Sequence, residues 1–516
     1  INMGFYITTP IYYTNDLPHI GHAYTTIACD IIARFNKLNN NEVFFLTGTD
    51  EHGQKVEKAA TNSNLKPKEF VDKLSLNFID LIPFLGCEID DFIRTTEQRH
   101  IKASQELWKQ LDKNNQIYLS NYEGWYSVRD EAFYLENELK KIDGKYFTEN
   151  GSPVEWVKEE SYFFKLSEWQ NKLIDFYEKN PEIILPKTRY NEVLSFIKGG
   201  LKDLSISRTT FNWGVPVPNN PKHVMYVWID ALCNYLTAVG YPDTNNHNYK
   251  QFWPATHIVG KDILRFHAVY WPAFLMAAGL EPPKRIFAHG WWTNEGQKIS
   301  KSLGNIIDPY EIINEYGLDQ IRFFLFREVP FGNDGDFSKK SISNRINADL
   351  SNNFGNLVQR ISSFAVKNND SLIKPSQNLT NDDQELINLL QIKYDEYCNF
   401  MENQQIDRAI KSVLELISAG NVYVDNQAPW LLKKSNKIRM EEVLYIICNI
   451  IIKSAIMLYP VIPSSSKKIL NIFNYNIFFN ERSSLSIPER RNARKGNAKA
   501  GMPSTSLRDR ECSKSS

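Results

Sequence analysis

The sequence is short of paired cysteines. Its six, Cys29, Cys87, Cys233, Cys398, Cys448 and Cys512, are scattered along 516 residues, which excludes CxxC zinc knuckles and a disulfide framework and fits a reducing compartment. Net charge is also missing: 60 basic residues balance 60 acidic ones. Any nucleic acid must therefore be held by local patches and not by a global field. Uninterrupted apolar runs are absent too. The longest, 444–462, is broken by Asn449, Lys453 and Pro460, so it reads as a buried helix and not a membrane span. The opening stretch shows no basic-then-apolar signal pattern, and a cytoplasmic protein is expected. What is present is ample: 42% hydrophobic and 13% aromatic residues exclude wholesale disorder. At roughly 150 residues per domain, the length suggests about three units.

Phe5-Tyr6-Ile7-Thr8 is strand-like. Tyr24, Ile27, Ala28, Ile31, Ile32 and Phe35 recur at helical spacing, and Val43-Phe44-Phe45-Leu46 is a second apolar run. Strand, helix and strand in this order predict a parallel sheet, whose ligands bind beyond the carboxyl ends of the strands. The loops at 10–22 and 47–54 then share one crevice. From 116 to 215 dense aromatics mixed with charge read as an inserted module. Strand signals at 223–229 and 257–259 suggest the second half of the same sheet, and beyond 345 the pattern is helical. The basic, apolar-poor stretch 481–516 reads as a solvated tail, with attraction to an RNA backbone as the alternative.

Pro18-His19-Ile20-Gly21-His22 lies between the first strand and its helix, where free N–H groups and the helix dipole favour phosphate. His19 and His22 can donate hydrogen bonds to a phosphate whose charge grows in a transition state, and Gly21 lets a flat adenine approach the backbone. Alone, the string also fits a helix entry with surface histidines. Far downstream, Lys298-Ile299-Ser300-Lys301-Ser302 followed by Leu303-Gly304-Asn305 carries two lysines and no acid. Lys298 and Lys301 can neutralise a triphosphate as pyrophosphate leaves. Alone, this is equally a solvated basic turn.

In this order, the two strings resemble the HIGH and KMSKS signatures of class I aminoacyl-tRNA synthetases, with Ile299 in place of the commoner Met. Several further segments are similar to the methionyl-tRNA synthetase family. They are Thr8-Thr9-Pro10-Ile11-Tyr12-Tyr13-Thr14-Asn15, Thr47-Gly48-Thr49-Asp50-Glu51-His52-Gly53, Tyr226-Val227-Trp228-Ile229-Asp230-Ala231, Gly260-Lys261-Asp262-Ile263 and Ala428-Pro429-Trp430. The resemblance implies an α/β fold: a Rossmann-type parallel-sheet catalytic domain (1–115 and 216–345) with a connective module inserted at 116–215. An all-α anticodon-binding helical bundle (346–480) follows, then the tail. It implies a ligase that forms methionyl-adenylate from methionine and ATP with Mg²⁺, releasing pyrophosphate, and then acylates the 3′-terminal adenosine of tRNA(Met), initiator and elongator alike.

Residue by residue, the resemblance places ATP at His19, Gly21, His22, Gly260, Asp262, Lys298 and Lys301. It places methionine at Ile11, Tyr13, Asp50, Trp228, Tyr235 and His267, with Asp50 on the ammonium and aromatic edges around the thioether. Without it, Trp228 and Tyr235 would read as core aromatics and Asp50 as a strand-end turn residue. The anticodon site carries over to Asn356, Arg360, Pro429 and Trp430, with Asn356 and Arg360 four apart on one helical face. Arg208 matches a position near the adenylate, and an ion pair is as good a reading of it.

The chain departs from the family where many members hold zinc between cysteine knuckles. Ser127 and Asp130 stand at the first pair, and no second pair follows. No structural zinc and no protein-held metal are expected, with Trp125, Tyr126, Phe133 and Tyr134 as the module's core. No appended domain is recognisable after the bundle, so a monomer without membrane contact is expected. Synthetases for valine, isoleucine or leucine need a large editing domain, which an insert of about 100 residues does not supply. A cysteinyl enzyme needs a metal–thiolate site that these scattered cysteines do not offer.

Overall fold

The computed structural model describes residues 3–14, 17–369, 373, 375 and 378–475, with the backbone of 478–479 and 485–486. The tail expected at 481–516 lies outside the described residues but for the strand Leu485–Ser486, and Asn15 and Cys512 lie outside them too. Two compact units make up the chain, Ile1–Asp30 with Glu42–His289 and Ile31–Asn41 with Gly290–Ser516. This division differs from the five expected segments, because it groups 31–41 from the first and 290–345 from the third, with Lys298 and Lys301, in the unit that holds the later helices.

Seven strands build the main sheet of the first unit: β1 (Phe5–Thr8), β2 (Tyr12–Tyr13), β3 (Val43–Asp50), β4 (Asp91–Arg94), β5 (Ile184–Leu185), β6 (Thr256–Gly260) and β7 (Arg285–His289). Their order is β5–β7–β6–β1–β3–β2, with β4 also beside β3, and every pairing is parallel. The helix after β1, α1 (Ile20–Leu38), buries Ile20, Ala23, Tyr24, Ile27, Ala28, Ile31, Ile32 and Phe35. Their spacing is the 3.6-residue period that marks a helix, but Thr25, Thr26, Asp30 and Arg34 between them are buried as well, so the helix is enclosed on every side from 23 to 35. The chain leaves β1 toward β3 on one side, while β6 flanks β1 on the other. The sheet thus opens a crevice beyond Thr8, Asp50 and Gly260, where ligands of such sheets bind.

The inserted module is antiparallel, in the order Leu204–Ser205, Glu155–Phe164, Ile117–Ser127, Ala132–Tyr134. Trp125 faces Trp156 across the ladder, with ring centroids 5.0 Å apart, and packs 4.5 Å from the Tyr146 ring. Tyr126 lies 4.9 Å from Phe133. At the position of the missing knuckle, Asp130 does the joining. Its carboxylate accepts from the Ser152 hydroxyl at 2.8 Å and the Tyr134 hydroxyl at 3.1 Å, and its N–H donates to Ser127 Oγ at 3.1 Å. Among the described residues no cluster of three or more His, Cys, Asp or Glu side chains is placed to hold a metal.

The strand expected over 223–229 requires correction. Asn220–Met225 is indeed a strand, but it pairs antiparallel in a small separate sheet. At Val227 the chain turns into α2 (Val227–Thr237). The apolar run there is a fully buried helix, which periodicity cannot distinguish from a buried strand.

In the second unit, β8 (Trp292–Asn294) pairs antiparallel with β9 (Gln297–Lys298) and parallel with β10 (Gly335–Phe337). Five of its later helices are α3 (Asn356–Asn368), α4 (Asn381–Glu402), α5 (Ile406–Gln427), α6 (Pro429–Ser435) and α7 (Lys437–Leu458). α4 starts at a capping box in which Thr380 and Asp383 serve each other's backbone N–H. Asp383 also accepts from the Tyr423 hydroxyl at 2.6 Å and from Arg439 at 2.7 Å, so one buried carboxylate joins α4, α5 and α7. α7 contains most of the apolar run read as a buried helix, and its residues 443–448 and 450–455 are buried. No helix among the described residues is long and apolar enough to cross a membrane.

Candidate active site

The first unit brings most of the expected site residues to the carboxyl end of its sheet. His19 immediately precedes α1. Its N–H donates to His22 Nδ1 at 3.0 Å, while Gly21 N–H donates to His19 Nδ1 at 3.0 Å. Both Nδ1 atoms therefore act as acceptors, and in the neutral rings the proton sits on Nε2. Burial, with the neighbouring imidazole, pushes His22 well below the usual histidine range, and its ring stands edge-on to Tyr12 and Phe78. A Cβ at Gly21 would come within 2.8 Å of His19 Cε1, so the bare backbone is what lets the two rings sit 4.0 Å apart. At the end of β6, a Cβ on Gly260 would lie 2.5 Å from Asp262 Oδ1, which makes glycine the residue that fits there.

Asp50 ends β3 opposite Tyr13. It is 2% exposed, and its Oδ1 has no hydrogen-bond partner among the described residues. Burial first, then Glu131 and Asp230, raise its pKa well above the carboxylate norm. The Tyr13 hydroxyl and the indole N–H of Trp228 are likewise buried and unpartnered. Trp228 stacks on Phe266 at 3.9 Å, and Ile11 packs against the same core.

A few residues away the situation differs. The Tyr235 hydroxyl meets His267 Nε2 at 2.7 Å, and His267 Nδ1 meets the Ile263 carbonyl at 3.1 Å. A carbonyl can only accept, so Nδ1 carries the proton and Tyr235 donates to Nε2. Burial lowers the His267 pKa to about 4, consistent with a neutral ring. His257 repeats the pattern: Trp271 N–H donates to its Nε2 at 3.1 Å, leaving Nδ1–H for Thr8 Oγ1 at 2.7 Å.

Two features escaped the sequence reading. Glu131, from the inserted module, is 1% exposed, and its carboxylate packs against Gly53, where a Cβ would collide with it. Burial, partly offset by Lys55, raises its pKa to about 7. It lies close to the Tyr13 hydroxyl, yet the two fall short of hydrogen-bond geometry. Lys55 Nζ sits 4.7 Å from the Tyr13 ring centre. The second is Asp230, which accepts from His52 Nδ1 at 2.7 Å and His100 Nε2 at 2.6 Å. Burial would raise its pKa, and the two histidines override that and bring it to about 2. Asp230 and His52 stand within the quoted family segments. Glu131 carried no local signal, because only the fold brings the module's turn to the end of β3. Arg208 forms a buried ion pair with Glu159 and lies 4.2 Å over the Tyr126 ring, which favours the structural reading of it.

In the second unit, Lys298 ends β9 and Lys301 lies in the exposed turn that follows. Asn356 opens α3. Arg360, one turn on, donates to Asp425 at 2.7 Å and holds its guanidinium 5.6 Å from the Trp430 ring. Pro429 and Trp430 start α6 after Ala428, whose φ of 42° is left-handed. Trp430 is 43% exposed, an accessible ring beside a cation.

Comparison with known proteins gives the family of the chain. The family profile described as tRNA synthetases class I (M) matches residues 5–362, and that of the anticodon binding domain of methionyl tRNA ligase matches 374–483. The methionine–tRNA ligase of Rickettsia conorii is 55% identical over 480 residues, covering 92% of this chain and 94% of its own. That of Brucella suis is 50% identical over 470 residues, 91% of either chain. The solved Mycobacterium tuberculosis methionyl-tRNA synthetase in complex with methionyl-adenylate superposes with a TM-score of 0.89 at 47% identity, over 91% of this chain and 93% of that one.

Proposed function

From the premise that the chain belongs to the class I methionine–tRNA ligases, and activates methionine with ATP before transferring it to tRNA, we propose how its residues divide the work. The observation that carries the assignment is the buried Asp50 carboxylate, whose Oδ1 has no partner among the described residues, together with the likewise unpartnered Tyr13 hydroxyl and Trp228 N–H. Such a cluster is costly in the empty protein; a bound ammonium satisfies the Asp50 and Tyr13 oxygens, and the Trp228 N–H, a donor only, needs a substrate acceptor. Methionine's ammonium goes to Asp50, and its thioether goes to the slot of Ile11, Trp228, Tyr235 and His267. In that slot the Tyr235 proton is already committed to His267, so an uncharged, weakly accepting sulfur loses nothing by entering.

In the first step a methionine carboxylate oxygen attacks the α-phosphorus of Mg²⁺-bound ATP, and the bond to the β-phosphate oxygen breaks as pyrophosphate leaves. His19 and His22, protonated on Nε2, donate to the α-phosphate region, with Gly21, Gly260 and Asp262 about the nucleoside. Lys298 and Lys301 take the charge of the departing pyrophosphate. No covalent enzyme intermediate forms, and positioning supplies much of the acceleration. In the second step the 2′-hydroxyl of the terminal adenosine attacks the acyl carbon and AMP leaves. Asn356, Arg360, Pro429 and Trp430 receive the anticodon of initiator and elongator tRNA(Met), with base stacking on Trp430 worth about 1–3 kcal/mol.

We read 1–115 and 216–345 as the catalytic halves, 116–215 as the connective module and 346–480 as the anticodon domain. The working protein is a cytoplasmic monomer, and the Asp130 clasp takes the place of zinc. Amino-acid-dependent ATP–pyrophosphate exchange tests this, run with methionine, cysteine, isoleucine, leucine and valine before and after zinc chelation with magnesium restored. Exchange with methionine alone, surviving chelation, is expected. Preference for another amino acid overturns the pocket assignment, absence of exchange points to a non-catalytic relative, and a zinc requirement overturns the reading of Ser127 and Asp130.

A further inference from the structure

The loop carrying Lys298 and Lys301 has little packing to shape it. Lys298, Lys301, Ser302, Leu303 and Gly304 are all exposed, and two like charges three residues apart repel. Its conformation must come from hydrogen bonds, and these converge on Asn305, which is half-buried. The Asn305 side chain spans the loop: Nδ2 donates to the Lys298 carbonyl at 3.0 Å, and Oδ1 accepts from the Ser300 N–H at 2.9 Å. The chemistry of the partners fixes the orientation of the amide, since a carbonyl needs a donor and an N–H an acceptor. Behind it, the main-chain carbonyl of Asn305 accepts from Asn294 Nδ2 at 2.9 Å, which ties the clasp to β8. The remaining turn closes as the Leu303 N–H donates to Ser300 Oγ at 3.2 Å and the Gly304 N–H to the Lys301 carbonyl at 3.1 Å.

We propose that Asn305 is a positioning residue for adenylate formation: by bracing the main chain at Lys298 and Ser300 it presets where Lys298 and Lys301 carry their charges. The inference rests on the reading of those lysines as the groups that meet the leaving pyrophosphate. Preorganised charge costs no reordering at the moment of reaction, whereas an unbraced loop must be ordered each turnover. An amide is the group that donates and accepts at once in this span. Aspartate would set an oxygen against the Lys298 carbonyl and put a negative charge beside the lysines. Since the loop is exposed, water replaces the lost bonds in a variant, and the effect falls on rate and not on folding.

The test is methionine-dependent ATP–pyrophosphate exchange on the full chain. Asn305→Ala and Asn305→Asp are each expected to lower kcat about ten- to a hundredfold, with the methionine KM changed less than about twofold and the melting temperature unmoved. Transfer to tRNA from preformed methionyl-adenylate, which has already lost pyrophosphate, should proceed at the wild-type rate. Asn294→Ala is expected to cause a smaller loss of the same kind. In a background carrying both Lys298→Ala and Lys301→Ala, Asn305→Ala should add much less than it does alone, because a brace matters only through what it holds. Wild-type kcat in Asn305→Ala while Lys298→Ala is impaired overturns the positioning role but leaves the lysine assignment standing, and so does full multiplication of the two losses. Wild-type exchange in both Lys298→Ala and Lys301→Ala overturns the phosphate reading and this inference with it.

Discussion

The two ends of the proposed methionine pocket in the first unit are built on opposite rules. At the thioether end the polar groups are paired before any substrate arrives: Tyr235 donates to His267, His267 to Ile263, Trp271 to His257 and His257 to Thr8. At the ammonium end Asp50 Oδ1, the Tyr13 hydroxyl, both Glu131 oxygens and the Trp228 N–H are buried without partners among the described residues. Stability alone would favour satisfying every buried group. The contrast therefore separates the part of the pocket that acts as fixed shape from the part that awaits a charge. A thioether offers almost nothing to hydrogen-bond, so a finished wall suits it, and unpaired hydroxyl-bearing competitors find no vacant donor there. An ammonium brings three donors and a charge, and the empty site keeps acceptors in reserve for it.

The largest break of this contrast is Asp50→Asn. Losing one partner of a buried charged pair costs about 2–5 kcal/mol, so kcat/KM for methionine should fall about 30- to 5,000-fold, with the KM for ATP little changed, as read by pyrophosphate exchange. Next is Glu131→Gln. With its pKa raised from 4.5 to about 7, Glu131 is protonated in the empty site below that pH and must lose its proton to welcome an ammonium. Methionine affinity in the wild type should then weaken by up to about tenfold per pH unit below about 7, and Glu131→Gln should flatten that profile between pH 5 and 8 at a cost of roughly tenfold in affinity at the upper end. The sign for folding is opposite. A folded-state pKa above the unfolded one means the native protein holds the extra proton, so stability falls as pH rises from 4.5 to about 7. Glu131→Gln should accordingly melt higher than the wild type at pH 8, by calorimetry, while binding substrate less well.

The ammonium end was only half legible in the sequence. Asp50 closes a strand whose apolar run is plain, but periodicity alone leaves it a turn residue at a strand end, and only the family resemblance names Asp50 and Tyr13 as substrate groups. Glu131 could not be named, since its place depends on an antiparallel module folding its turn back to the end of β3, and nothing in Arg129-Asp130-Glu131 announces that. The parallel sheet and the helical C-terminal half were readable from periodicity. The helix at 227–237 was not, because an apolar run buried on all sides has no period to betray it. The thioether end was nameable only through family resemblance: Tyr235 and His267 lie 32 residues apart, in segments that look like any core.

Tyr235→Phe attacks the finished end. It leaves His267 Nε2 a buried acceptor without a donor, which should cost about 1–3 kcal/mol of stability by denaturant unfolding. Its effect on methionine activation should be smaller than that of Asp50→Asn, because the wall keeps its shape and the sulfur takes no hydrogen bond from it. If instead Tyr235→Phe impairs exchange as severely as Asp50→Asn, the two ends do not differ in kind.

Trp228→Phe is the finest probe, because it removes the unpartnered indole N–H at the waiting end while keeping an aromatic ring on Phe266, stacked at 3.9 Å in the native protein. Two effects oppose each other in the empty protein. The smaller ring gives up some packing, at about 1 kcal/mol, and an orphaned buried N–H disappears, which returns a similar amount. Net stability should therefore move little, and any change in function is left exposed. A N–H held in reserve for substrate predicts a methionine KM raised about three- to tenfold with kcat nearly constant, the mark of lost uniform binding. A N–H that is merely stranded predicts an unchanged KM, and would move Trp228 from the waiting end of the pocket to the finished one.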